Sequence, residues 1–168
     1  MRALACVLLL ASAPALAAPS GLTPVRRPAR WGLGLTIGDP FGVTLKRYLG
    51  NENAWDVYAA FAYGPGVRFG GDWLWDLGRM VAERKFDLDL YAGVGPFFGV
   101  LSDPCGPGFI NDRCNGDAYF GARVPLGIEM LLREAPVTIG LEIAPGVGFA
   151  PGRSGFLLDF LLAVRWLF

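Results

Sequence analysis

From residue 30 onward, large apolar residues recur at alternate positions in run after run. In the last run Phe156, Leu158, Phe160, Leu162, Val164, Trp166 and Phe168 fall on one side of an extended chain, with Asp159, Ala163 and Arg165 on the other. Val137, Ile139, Leu141, Ile143, Val147 and Phe149 likewise oppose Thr138, Gly140, Glu142, Ala144, Gly146 and Gly148. Phe120, Val124, Leu126, Ile128 and Met130 oppose Gly121, Arg123, Gly127 and Glu129, and Val67, Phe69, Trp73 and Trp75 oppose Arg68, Gly70, Asp72 and Asp76. Trp31, Leu33, Leu35 and Ile37 alternate with Gly32, Gly34 and Thr36. A period of two is that of a β-strand with two chemically different faces.

Turn signals divide the chain into about eight strands: Arg30–Ile37, Phe41–Leu49, Ala54–Tyr63, Val67–Leu77, Phe86–Val100, Ala118–Leu132, Val137–Phe149 and Phe156–Phe168. The stretch Leu77–Lys85 reads either as a connection or as one short helical turn. One face is uniformly large and apolar, and the other is glycine with charges of both signs. A soluble barrel or sandwich also alternates, but it hides its apolar face. The observed combination fits a closed, antiparallel, eight-stranded transmembrane β-barrel with lipid outside and a narrow polar interior. Trp31, Trp55, Trp75, Phe86 and Trp166 fall near strand ends, where interfacial aromatic girdles belong.

The N-terminus reads as an export signal. Arg2 supplies a positive charge, Ala3–Ala13 an apolar core and Ala15-Leu16-Ala17 a small-x-small cleavage site, which sets residues 1–17 apart as a signal peptide. An uncleaved anchor is the alternative, although the apolar run is short for a span. Residues 18–29, with three prolines and two adjacent arginines, read as an extended leader, and residues 30–168 as the barrel. Beyond the signal, the chain carries Cys105 and Cys114 in a Gly/Pro/Asn-rich loop. In an exported protein this pair is expected to form a disulfide; a metal site would need further ligands. The loop around them, Ser102–Asp117, is the longest connection. It is expected on the extracellular side, as the main exposed interaction surface.

Lys and Arg together number 15, as do Asp and Glu, so no basic surplus points to nucleic acid. No histidine is present, which removes His-based catalysis and argues against ordinary zinc chemistry. Ser102 and Ser154 lie in loops without an evident base, so no enzymatic activity, catalytic residue, cofactor or metal is expected. The alternation sends Lys46, Asp56, Arg68, Asp72, Asp76, Asp87, Asp89, Arg123, Glu129, Glu142, Asp159 and Arg165 to the interior. Buried charges must pair or be hydrated. The expected network is Lys46, Arg68, Asp72, Asp89, Arg123, Glu129, Glu142, Asp159 and Arg165. Its plain role is structural; a narrow channel or a carrier for small or hydrophobic solutes is the alternative.

The closing alternation Phe160, Leu162, Val164, Trp166 and Phe168 resembles the C-terminal assembly signal of outer-membrane barrels. That signal implies recognition by the barrel-insertion machinery. Further pieces carry a resemblance over nearly all of the chain after the leader. They are Gly34-Leu35-Thr36-Ile37-Gly38-Asp39-Pro40-Phe41-Gly42, Asp72-Trp73-Leu74-Trp75, Leu90-Tyr91-Ala92-Gly93-Val94-Gly95, Gly121-Ala122-Arg123-Val124-Pro125-Leu126-Gly127-Ile128-Glu129, Ala135-Pro136 and Glu142-Ile143-Ala144-Pro145. In these the chain resembles a family of small, uncharacterised outer-membrane barrels with the simple architecture of OmpA or OmpX, from which its longer cysteine-bearing loop departs. The resemblance implies fold and a place in the bacterial outer membrane, and brings no catalytic residues. The expected partners are outer-membrane lipid and, during biogenesis, the insertion machinery; the chain is expected to be a monomer that binds no nucleic acid.

Overall fold

A computed structural model describes residues 22, 23, 28, 30–50, 52–62, 66–100 and 118–168. The expected signal peptide, most of the leader and the cysteine loop with Cys105 and Cys114 lie outside the described residues.

Among the described residues nine strands form one antiparallel sheet: β1 Arg30–Asp39, β2 Phe41–Tyr48, β3 Asn53–Ala62, β4 Gly66–Ala82, β5 Phe86–Val100, β6 Ala118–Arg123, β7 Leu126–Leu132, β8 Val137–Ala150 and β9 Arg153–Leu167. Each strand pairs with its neighbour in sequence, except that β6 and β7 lie end to end between β5 and β8. The first strand then pairs with the last, from Gly32↔Leu167 to Asp39↔Phe160. Hydrogen bonding therefore runs as a ring, with no outer strand left over among the described residues. Trp31 and Phe168 extend the closing ladder by exchanging backbone bonds of 3.0 and 2.9 Å.

Three elements differ from the sequence reading. The run Ala118–Leu132 is broken into β6 and β7 at Val124-Pro125, because Pro125 has no N–H to give to a ladder. The Val124 N–H bonds to the Pro145 carbonyl, and the Pro125 carbonyl accepts from Gly93, so the line of the sheet continues through the break. Second, β4 runs on to Ala82 in place of a connection or helical turn over Leu77–Lys85. Two register shifts, at Asp76/Gly78 and Arg79/Val81, bend this extension against β5. Asp76, expected inside, is only half-buried; it is the last residue in register before the first shift. The extension overhangs β3, and Thr23 forms an isolated antiparallel bridge with its Arg79. Third, β9 starts at Arg153, ahead of the expected Phe156.

The ring has a proximal end, where Arg30 and Leu167 lie, and a distal end, where β1 turns into β2. Its enclosed face is richer than glycine and charge. Tyr48, Ala54, Leu74, Tyr91 and Leu167 form a buried apolar cluster toward the proximal end. Tyr58, Ala60, Phe97, Tyr119 and Leu157 form another toward the distal end. The glycines make room for these rings. Tyr58, Phe97, Tyr91 and Tyr119 sit opposite Gly70, Gly121, Gly127 and Gly99 in register. A Cβ added at any of the four glycines would come within 2.3 to 2.5 Å of its partner's ring or hydroxyl. At Gly34 the obstacle is backbone, with the Val164 carbonyl oxygen 1.9 Å from the added atom, so β1 closes on β9 more tightly than any side chain there would allow.

Gly127→Val should destabilise the fold by about 1–3 kcal/mol through overpacking against Tyr91 and the Leu141 carbonyl. Gly71→Ala adds a methyl on the outer face, 3.3 Å from Val57, and should cost far less. Equilibrium urea unfolding separates the two; equal midpoints would contradict the ring-over-glycine packing.

Candidate functional site

Between the two apolar clusters the enclosed face carries charge. Period-two alternation brings Lys46, Asp56, Arg68, Asp72, Asp89, Arg123, Glu129, Glu142, Asp159 and Arg165 to this face, and each is at least 95% buried. Every one of the nine residues of the expected network is among them.

The proximal tier is centred on Arg165 of β9. Its guanidinium pairs with Asp56 at 2.5 Å and with Glu129 at 3.5 Å, and donates to Thr44 Oγ1 at 3.2 and 3.3 Å. The Thr44 hydroxyl donates in turn to Asp56 at 2.5 Å. Glu129 also takes Lys46 at 3.1 Å and the Tyr48 hydroxyl at 2.7 Å. Arg165 has space for its long side chain because Gly32 and Gly140 flank it without one.

The distal tier is centred on Arg123 of β6. It grips Asp72 with two donors, Nη2 at 2.5 Å and Nε at 3.2 Å, the fork geometry that suits a carboxylate. It also reaches Asp159 at 3.1 Å and Glu142 at 3.4 Å. Asp159 is shared with Arg68 at 2.7 Å, and Glu142 accepts the Tyr91 hydroxyl at 2.8 Å. Among the described residues the two tiers, with Tyr91 of β5, thus bind strands β2 to β9 to one another across the enclosed space.

Aromatic rings of the apolar clusters cover the cations. Lys46 lies 4.7 Å from the Tyr91 ring centre and 4.9 Å from that of Tyr48. Arg123 lies 4.3 Å from Tyr58, and Arg68 lies 5.2 Å from Phe97. These contacts favour positive charge where water is excluded.

A further set closes the proximal rim. Arg79 holds Asp89 at 2.8 Å and Asp87 at 3.4 Å, and Arg133 donates to Asp87 at 2.7 Å. That hydrogen bond and the carboxylate charge hold the Arg133 guanidinium above its ordinary pKa. Sequence reasoning missed Arg79 and Arg133 because both fall in stretches that read as connections. It missed Tyr48, Tyr58, Tyr91, Phe97 and Tyr119 because an aromatic on a polar face gives no periodic signal of its own.

The network leaves a small internal cavity, about 10 Å³, bordered by Thr36, Tyr58, Glu142 and both central arginines. Thr36 Oγ1, Tyr58 OH and Glu142 Oε1 are buried there without a hydrogen-bond partner among the described residues. One water molecule fits that volume and those partners. Among the described residues no group of three or more His, Cys, Asp or Glu is arranged to hold a metal ion. What the arrangement does chemically is fill the ring with paired charge and lock its strands in register.

The outer face is the reverse. Leu33, Leu35, Val43, Phe69, Val94, Phe120, Leu141, Phe160, Leu162, Val164, Trp166 and Phe168 all lie on it, exposed. Of the residues expected to form an assembly signal, Phe160, Leu162, Val164 and Trp166 belong to β9, and Phe168 follows it. Aromatics mark both ends of this face: Trp31, Trp55, Phe86, Trp166 and Phe168 lie near the proximal ends of their strands, and Phe41, Phe61, Phe98, Phe120, Phe149 and Phe156 near the distal ends.

Comparison of the chain with protein-family models, with curated proteins and with solved structures finds no match.

Arg123→Met strips Asp72 and Glu142 of their cation among the described residues, and should cost about 3–5 kcal/mol as buried carboxylates lose their partner. Arg133→Met acts at a half-exposed rim pair and should leave the urea midpoint nearly unchanged. Equal shifts for the two variants would contradict the network's structural role.

Proposed function

We propose that this chain is a small integral β-barrel of the bacterial outer membrane, with a structural or interaction role carried by its extracellular loops. One observation carries the reading: the hydrogen-bonded ring is apolar outside and charged inside. In water an exposed apolar surface of this extent is a liability, whereas in a bilayer it is the favoured surface, and a ring is one of the two backbone arrangements that survive there. The dimensions support it. From Phe156 to Trp166 β9 covers about 33 Å of extended chain, or about 23 Å along the axis at a tilt of ~45°. The apolar band of outer-membrane barrels is about 25 Å tall. Aromatic side chains at both ends match the two girdles of that band.

In this reading the paired charges and the two apolar clusters plug the interior, which favours an anchor over a channel. The proximal end, with Arg30 and Phe168, faces the periplasm. The distal connections, including the Cys105–Cys114 loop, face outward and form the interaction surface. The alternating β9 and Phe168 serve as the signal for the insertion machinery, and the signal peptide delivers the chain.

The purified chain should fold into lipid vesicles from urea, and Leu162→Arg should cost about 2–4 kcal/mol of that folding near the midplane. Asn111→Cys should react with an impermeant maleimide on intact cells. In planar bilayers the protein should give no discrete conductance steps. Folding in buffer without lipid or detergent, with Leu162→Arg tolerated, would overturn the membrane reading; steady single-channel steps would turn it toward a channel.

A further inference from the structure

On the outer face, three consecutive rows of side chains across β1–β4 build a feature that a uniform lipid belt does not need. The proximal row is Trp31, Arg47, Trp55 and Trp73, adjacent in register. Arg47 stands alone as a cation among the tryptophans. Its neighbours Lys46 and Tyr48 are turned inside, so Arg47 points outward, and it makes no ion pair with any described residue. Its guanidinium lies 4.8 Å from the Trp31 ring centre, and Trp31 meets Trp55 edge-on at 5.3 Å. A guanidinium with its face against an indole keeps its in-plane N–H donors free, and that fork matches phosphate oxygens.

The next two rows, toward the distal end, open a groove. They are Leu33, Leu45, Val57 and Gly71, then Leu35, Val43, Ala59 and Phe69. With only a methyl at Ala59, an apolar groove of about 380 Å³ is left, lined by Leu33, Val43, Leu45, Val57, Ala59 and Phe69. It starts one row from Arg47, about 7 Å along the strand.

A cation with free donors at the edge of the apolar belt, continued by an apolar trough along the strands, has the chemistry of a phosphate-bearing lipid. We propose that Arg47, Trp31 and Trp55 bind the phosphate of a glycerophospholipid whose acyl chain lies in the groove over Ala59. The inference rests on the outer-membrane reading, which sets this proximal row at the inner, phospholipid leaflet. Charge complementarity selects the occupant: an uncharged lipid would leave the Arg47 donors unused.

The test uses the full chain in maltoside micelles doped with phosphatidylglycerol, or with a galactosyl diacylglycerol of the same acyl chains that lacks phosphate. Native mass spectrometry then reads the lipid retained. The wild type should keep one phosphatidylglycerol. Arg47→Gln should lower that retention about five- to tenfold by removing the charge-assisted donors. Ala59→Phe should lower it similarly by filling the groove, and Arg47→Lys should fall between. The galactolipid should be held no better by the wild type than by Arg47→Gln. Retention by Arg47→Gln within twofold of wild type, or galactolipid held as well as phosphatidylglycerol, overturns the site. The same proteins are assayed for entry into vesicles. Normal entry with undiminished lipid binding by the variants sinks the lipid site alone; failure of the wild type to enter sinks the membrane reading and the site with it.

Discussion

The ladder between β1 and β9 is what everything else in this molecule depends on. Without it the sheet has two free edges and its charged face is open to water. With it, Gly32–Asp39 and Leu167–Phe160 join the two ends of the sheet into a ring, and one face becomes an enclosed volume. Closure demands close approach, and Gly34 gives it, since no Cβ fits against the Val164 carbonyl. It also commits each residue to a side, because a slip of one position would turn the charges outward and the leucines inward.

Enclosure in turn decides how charge is handled. An isolated buried ion is prohibitively costly, and a pair is tolerable only with good geometry and further hydrogen bonds. Arg123 and Arg165 meet those terms by gathering several oxygen acceptors each, and the aromatic clusters above and below keep water from competing. Such a network adds little net stability over an apolar filling. Its value here is register: partners from eight strands must coincide before the whole network is satisfied.

Much of this was legible in the chain. The alternation in Phe156–Phe168 and Val137–Phe149 needs no tertiary information, since a face that is all leucine, valine and phenylalanine opposite glycine and charge is a local pattern. The same alternation placed Arg123, Glu129, Glu142, Asp159 and Arg165 on one side. What escaped depends on neighbours in space. Tyr58, Tyr91, Phe97 and Tyr119 lie inside because each has a glycine directly across the ladder, and cross-strand register is not written in either strand alone. The pairs Tyr58/Gly70 and Tyr91/Gly127 would have been the signal to search for. Arg79 and Arg133 escaped because β4 outruns β3 through two bulges, which places a turn-like stretch beside Asp87 and Asp89. The break at Pro125 was in plain view, but a strong flanking alternation outweighed one missing donor.

The central claim is that the apolar face meets lipid and the charged face does not. Nitroxide scanning of β9 tests it most directly. Labels placed one at a time from Leu157 to Val164 in vesicle-reconstituted protein are read for collisions with oxygen, which concentrates in the bilayer, and with a polar nickel chelate, which does not. The account predicts oxygen maxima at Leu158, Phe160, Leu162 and Val164 and minima at the positions between them. Nickel maxima at those four positions, or no period of two at all, would contradict it.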